Sequence, residues 1–211
     1  MLIAITTGTM AQGMYVQDNE DPKRFNGGLI GGVNFTQVDG DSYYGYNKVG
    51  FNLGGIVLVR FSEHIGASME LLFSQKGSKG QGITESPYIG EYVAKYYMFL
   101  NYAEVPITLH LMFHSTDVEL GASYAYLISS TEYVESDTYV PIDAHANRFN
   151  NTDLDGIIGI THKLYKKLYG NVRYEYSLTS IRPPERIPYG YSYGNQGQYN
   201  NLFNVRVVYY F

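Results

Sequence analysis

Eight stretches of this chain alternate bulky apolar residues with small, polar or charged ones, and the connections between them alternate just as strictly in length. The stretches run over residues 27–37, 48–61, 65–76, 96–113, 117–129, 154–164, 168–178 and 201–211. A period of two sends successive side chains to opposite faces of a strand, and helical periodicity is weak throughout, so the pattern predicts one all-β domain. Ser62-Glu63-His64, His114-Ser115-Thr116 and Tyr165-Lys166-Lys167 make three short connections. The other four, at 39–47, 78–95, 130–153 and 179–200, are longer and rich in Gly, Tyr, Asn, Asp and Pro. Strict alternation of short and long gathers every long loop at one end of an up-and-down meander. Outer-membrane barrels have that asymmetry, with short periplasmic turns and long extracellular loops.

Volume decides which face points outward. In the stretch at 96–113, Val105, Ile107, Leu109, Leu111 and Phe113 share one face, and Glu104, Thr108 and His110 the other. The stretch at 168–178 sets Val172, Tyr174, Tyr176 and Leu178 against Asn171, Arg173, Glu175 and Ser177. An eight-stranded barrel has an interior just wide enough for side chains to fill. Eight faces of Leu, Phe, Ile and Tyr overfill it, whereas small residues with a few long charged ones fit. The bulky face is therefore expected to meet lipid, in an eight-stranded antiparallel transmembrane barrel. Composition agrees: 17% of the residues are charged, against about 25% in an average soluble domain, and 16% are aromatic, with 23 Tyr, 10 Phe and no Trp. No apolar run is long enough for a transmembrane helix, but barrel strands need none. The interior then receives Arg60, Lys163, Arg173 and Arg206 together with Glu70, Glu104, Glu119, Asp155 and Glu175. Buried charges must be paired, so these nine are expected to form an ion-pair network. The opposite arrangement, with the apolar face inward, would make a secreted lipocalin-like binder.

The first residues supply a short apolar stretch, Leu2 to Ile5, and small residues at Thr9-Met10-Ala11 ahead of Gln12, although a basic n-region is missing. Residues 1–11 are accordingly expected to be the remnant of a secretory signal, 12–26 an N-terminal periplasmic segment and 27–211 the barrel. At the other end, Phe203, Val205, Val207, Tyr209 and Phe211 share the lipid face, and Arg206 points towards the interior carboxylates.

Five segments together carry a family resemblance: GLIGGVNFT at 28–36, MELLFSQKG at 69–77, NYAEVPITLHL at 101–111, VRYEYSLTSI at 172–181 and the closing NNLFNVRVVYYF. In that order they resemble the small outer-membrane β-barrels of Bacteroidetes grouped as PorT-like proteins. The resemblance covers nearly all of the chain after Asn26. It implies an exported barrel in the outer membrane of a Gram-negative bacterium, inserted by the barrel-assembly machinery. The terminal aromatics Tyr209 and Phe211 resemble the signal that machinery reads. It implies little about activity, since the founding member is associated with type IX secretion and most relatives have no assigned role.

Few function classes survive. A net charge of -5, a pI near 5.5 and no clustered basic stripe argue against a nucleic-acid binder. Zero cysteines rules out disulfides and thiolate metal sites. There is no nucleophile elbow, P-loop or dinucleotide fingerprint. The interior carboxylates are better read as packing ion pairs than as acid/base groups. His64, His110, His114, His145 and His162 lack metal-site spacing, and Asp39, Asp41 and Asp143 lack an EF-hand pattern. No metal or cofactor is therefore expected. Pro106 inside a strand predicts a bulge or a local break in pairing. The last loop offers Arg182, Arg186, Tyr189, Tyr191, Tyr193 and Tyr199 as a candidate partner-binding surface, the competing reading being a solvated loop whose tyrosines reach the lipid interface. The expectation is a non-catalytic barrel serving a larger envelope assembly, in secretion or outer-membrane protein biogenesis, with lipid and other outer-membrane proteins as partners. The alternatives are a small channel or transporter, or a membrane-embedded lipid-modifying enzyme.

Overall fold

The computed structural model describes residues 24–86, 90–135, 139–143, 145–188 and 196–211. The expected signal remnant at 1–11 and the 12–26 segment up to residue 23 lie outside them. The described strands are β1 (Phe25–Asp39), β2 (Lys48–Arg60), β3 (Ile65–Ser86), β4 (Gly90–Phe113), β5 (Thr116–Glu135), β6 (Tyr139–Pro141), β7 (Thr152–Tyr165), β8 (Leu168–Ser177) and β9 (Tyr199–Tyr210). Eight of them close a ring of antiparallel neighbours in chain order, β5 pairing with β7 and β9 returning to β1. Closure leaves the ring no free edge. The short β6 pairs with the outer end of β5.

Closure brings Gly32 opposite Arg206. A Cβ at Gly32 would lie 2.3 Å from the Val205 carbonyl oxygen and 2.7 Å from Arg206 Cγ, so the bare glycine lets the arginine stem cross β1 on its way to the interior. At the short-turn end, β4 and β5 pair through Phe113 and Thr116, and β7 and β8 through Tyr165 and Leu168. The two-residue turns left between them put His114 at φ 54° and Lys166 at φ 42°, the left-handed conformation that matches the twist of the flanking strands.

Five stretches match their strands to within two residues at each end. The other three are longer than expected. β3 continues to Ser86, β4 begins at Gly90, and the register from Ser78↔Met98 to Ser86↔Gly90 is unbroken. The loop expected at 78–95 is thus largely a hairpin standing off the ring, flanked by the outer half of β5. Its Gly, Ser and Gln residues look like loop in composition, yet the ladder satisfies their backbone groups better than an irregular path would. Pro106 keeps its place opposite Ser123, while the β3–β4 pairing skips from Met69↔Ile107 to Leu72↔Glu104. The local break expected from a residue without an N–H is there, on the β3 side.

Every strand of the ring points large apolar side chains outward. Leu29, Leu53, Leu71, Leu109, Leu120, Ile158, Val172 and Val205, one from each strand, are all at least half exposed. Arg173, Lys76 and Glu70 are buried inside. Such a surface is stable only against lipid.

Candidate functional site

The interior is filled in layers. Its floor, at the short-turn end, is apolar: Ile30, Ile56, Leu58, Leu72, Met112, Val208 and Tyr210 pack together with Tyr169 against them. Above it lies the Arg173 layer. Arg173 donates to Glu70 at 2.7 Å and to Glu119 at 2.9 Å, and Glu175 lies 3.7 Å away. Arg206 donates to the second Glu70 oxygen at 2.9 Å and to Asn171 Oδ1 at 2.8 Å. Glu119 also accepts from Thr161 and from Asn171, the latter at 2.9 Å, and Glu175 accepts from Asn204 at 2.7 Å.

The next layer is centred on Lys76, whose ammonium lies 2.7 Å from Glu104 and 2.6 Å from Asp155, and 5.3 Å from the centre of the Tyr102 ring. Ser177 and Asn200 each donate to Asp153 at 2.8 Å. Glu104, Asp155 and Glu175 approach closely enough to suggest a metal site, but the Lys76 ammonium already sits between the first two. Lys76, Arg173 and Arg206 thus face Glu70, Glu104, Glu119, Asp153, Asp155 and Glu175. Asparagine and hydroxyl donors hold the surplus carboxylates, because a buried charge left unpaired costs several kcal/mol.

A roof closes the long-loop end. Val38, Tyr96, Met98, Leu100, Tyr102, Ala125, Phe149 and Ile181 form a second apolar cluster. Through it runs Arg182, fully buried, forked onto Glu132 at 2.7 Å through both terminal nitrogens. Its Nε donates to Gln198 at 2.8 Å, Nη1 donates to the Asn147 carbonyl at 3.0 Å, and the guanidinium lies 4.0 Å from the centre of the Phe149 ring. Glu132 also accepts from the Tyr96 hydroxyl. Burial and the Glu132 charge push that phenol well above its ordinary range, which keeps it a donor. One side chain therefore ties β5 to both long loops that follow it.

Seven of the nine charges expected inside are gathered there: Glu70, Glu104, Glu119, Asp155, Arg173, Glu175 and Arg206. Two correct the expectation. Lys163 has the inward parity but lies exposed at the short-turn end, where the ring no longer encloses it. Arg60 is half-buried at the same rim, where it acts on Asp117 and Tyr169 and is in none of the ion pairs of the central network. Lys76 and Asp153 belong to the network without having been singled out; their parity with Glu70 and Asp155 was the available signal. Arg182 is a third correction: it is an interior strut and not part of an exposed binding loop, because Glu132 meets it inside the ring. Arg186 is half-buried, donating to the Arg148 carbonyl at 3.2 Å and to Asn150 at 3.1 Å. Tyr199 belongs to β9, its ring stacked on Tyr176 at 6.3 Å. Tyr189, Tyr191 and Tyr193 lie outside the described residues. Tyr209 and Phe211 point outward, their rings 6.2 Å apart.

One arrangement resembles a catalytic constellation. Ser68 Oγ lies 2.9 Å from His110 Nε2, and His110 Nδ1 is 3.8 Å from Glu119 and 3.9 Å from Asp117. The last two separations are too long for the hydrogen bond that orients a general base, and Ser68 and His110 are buried within the barrel wall and floor.

A family model described as outer membrane protein beta-barrel domain matches residues 10–182. Among solved structures, Ail, the attachment invasion locus protein of Yersinia pestis, superposes with a TM-score of 0.51 at 14% identity, over 90% of this chain and all of that one. Neisserial surface protein A gives a TM-score of 0.45 at 11% identity over 90% of this chain and 98% of that one. AlkL, an outer membrane protein, gives 0.37 at 12% identity over 100% and 97%. No curated protein matches in sequence.

Proposed function

The chain belongs to the outer-membrane protein β-barrel domain family and resides in the outer membrane of a Gram-negative bacterium, and from that premise we propose that it is a non-catalytic accessory subunit of an envelope assembly. The observation that carries the proposal is the filled interior. A floor of apolar side chains, two charge layers and the Arg182–Glu132 roof leave the lumen built for rigidity rather than passage. What such a barrel offers to other molecules is its outer surface and the folded β3–β4–β5 extension above the membrane. The Ser68–His110 pair favours an enzyme on paper, but its enclosure and its long third contact weigh against that reading. The five sequence motifs place the chain, in this proposal, among the PorT-like barrels of Bacteroidetes, with secretion or barrel biogenesis as the process served and insertion through the barrel-assembly machinery.

Extraction of the native protein from outer membranes in mild detergent, followed by mass spectrometry, tests the proposal. Stoichiometric outer-membrane partners are expected, and their loss when residues 189–195 are excised. A solitary barrel would overturn the assembly role. Steady single-channel conductance across a planar bilayer would overturn the sealed lumen and favour a channel.

A further inference from the structure

The outward face of the β3–β4–β5 extension carries a recess unlike the rest of the barrel wall. Four rows cross the three strands in register: Gln75, Asn101 and Ser129; Gly77, Phe99 and Thr131; Lys79, Tyr97 and Tyr133; Gln81, Lys95 and Glu135. The first row is hydrogen-bonded side chain to side chain, Gln75 to Asn101 at 3.1 Å and Asn101 to Ser129 at 2.9 Å, and it interrupts the apolar band that runs up from Phe113. Above it the Tyr97 and Tyr133 rings stack at 5.0 Å, with Phe99 6.3 Å from the first and 6.2 Å from the second. Gly77, at φ 129°, leaves the position beside Phe99 without a side chain, and the Lys48 ammonium lies 4.7 Å from that ring's centre. Lys79 lies 5.4 Å from the centre of the Tyr97 ring.

Asn47, Lys79, Gly80, Gln81, Lys95 and Tyr97 line a cavity of about 400 Å³ here. Lys79 and Lys95 are diagonal neighbours on adjacent strands, about 7–8 Å apart at the backbone, so their ammonium groups can straddle one phosphate. Among the described residues neither is held in an ion pair, and the one carboxylate in the four rows, Glu135, stands opposite Lys95.

We infer that this recess binds the phosphate-bearing saccharide headgroup of an outer-leaflet glycolipid. Two lysines supply the phosphate contacts, Asn47 and Gln81 supply amides for hydroxyls, and the aromatic wall packs against a sugar face. Lipid is favoured over a soluble anion by position. The recess opens sideways, on the same face as the lipid band, about 10–15 Å above the hydrocarbon edge if the strands tilt as usual in such barrels. The inference does not depend on the envelope-assembly reading.

The test uses the full chain in phosphatidylcholine nanodiscs doped with either bisphosphorylated or dephosphorylated lipid A, with retained lipid read by native mass spectrometry. The wild type is expected to retain the phosphorylated form about tenfold better, and Lys79→Gln with Lys95→Gln to abolish that preference, two charge-assisted contacts being lost. Lys166→Gln with Lys167→Gln, at the opposite end, is expected to leave it intact. Heat-modifiable migration verifies that each variant is folded. Equal retention of the two lipids by the wild type would overturn the inference, as would a preference that survives the Lys79/Lys95 change. Equal binding of free pyrophosphate or a sulfated saccharide by the lipid-free, detergent-held protein would assign the recess to a soluble anion instead.

Discussion

The lower and upper halves of the β3–β4–β5 wall divide polar and apolar side chains between their two faces differently. In the lower half Glu70, Ser74, Lys76, Glu104 and Ser123 face in, while Leu71, Ile107, Leu109 and Leu120 face out. In the upper half Tyr96 and Met98 face in beside Ser78 and Glu132, while Lys79, Lys95 and Thr131 face out beside Tyr97, Phe99 and Tyr133. The strands and their neighbours are the same in both, with one bulged residue of β5 where Asn101↔Ser129 gives way to Tyr102↔Leu127, and the change has a solvent cause. Where lipid is outside, apolar side chains lose nothing by pointing outward and the enclosed volume takes the polar ones. Where water is outside, burial of apolar surface drives the packing and the ordinary rule returns. The hydrogen-bonded row of Gln75, Asn101 and Ser129 marks the changeover on this wall.

The largest test of this contrast is inside the lower half. Glu70→Ala leaves Arg206 without its carboxylate and Arg173 with fewer, and a loss of about 3–5 kcal/mol is expected, read as a lower urea midpoint for unfolding from lipid vesicles. Stability equal to the wild type would mean that the charge layers are not structural. The outward faces supply the second test. Leu109→Arg, near the middle of the apolar band, is expected to cost about 2–4 kcal/mol, whereas Thr131→Arg above the changeover is expected to stay within about 0.5 kcal/mol of the wild type. Similar costs at both sites would erase the boundary.

The smallest effect is expected in the loop between β1 and β2. Asp41 accepts from the Tyr43 backbone N–H at 2.9 Å, and burial, outweighing the hydrogen bonds from Ser78 and Tyr43, raises its pKa to about 6. A carboxyl whose folded pKa lies above its unfolded value favours the folded loop when protonated. That stability is present at low pH and is lost as pH rises from about 4 through 6. Asp41→Asn should therefore protect the loop at pH 7 by about 1 kcal/mol, measured by amide hydrogen exchange, with the advantage vanishing below pH 4. An advantage that persists at low pH would show that the Asp41 charge is not its source.

Much of the fold was legible because period-two alternation and loop-length asymmetry are local. Phe203, Val205, Val207, Tyr209 and Phe211 announced a lipid face at the chain's end, and Glu70, Arg173 and Arg206 announced interior charge by parity alone. The candidate site was legible only in part. Arg182 looks like a loop arginine because its partner Glu132 is fifty residues away in sequence, and nothing local distinguishes a strut from a solvated cation. Lys163 has the inward parity of Thr161, yet the ring ends before it and leaves the side chain in water. Parity assigns a face, while depth along the barrel assigns an environment.

The sequence by itself determined an all-β ring, its outward apolar face, the end that carries the long loops and the set of charges available to the interior. These follow from side-chain alternation and volume, which need no knowledge of what lies across the ring. Only the tertiary structure decided which charges meet, where lipid gives way to water on the β3–β4–β5 wall, and that the hairpin of β3 and β4 rises past that level with an aromatic and lysine-lined recess on its outer face. Those outcomes depend on register between strands distant in sequence, where a shift of one residue would exchange every inward side chain for an outward one.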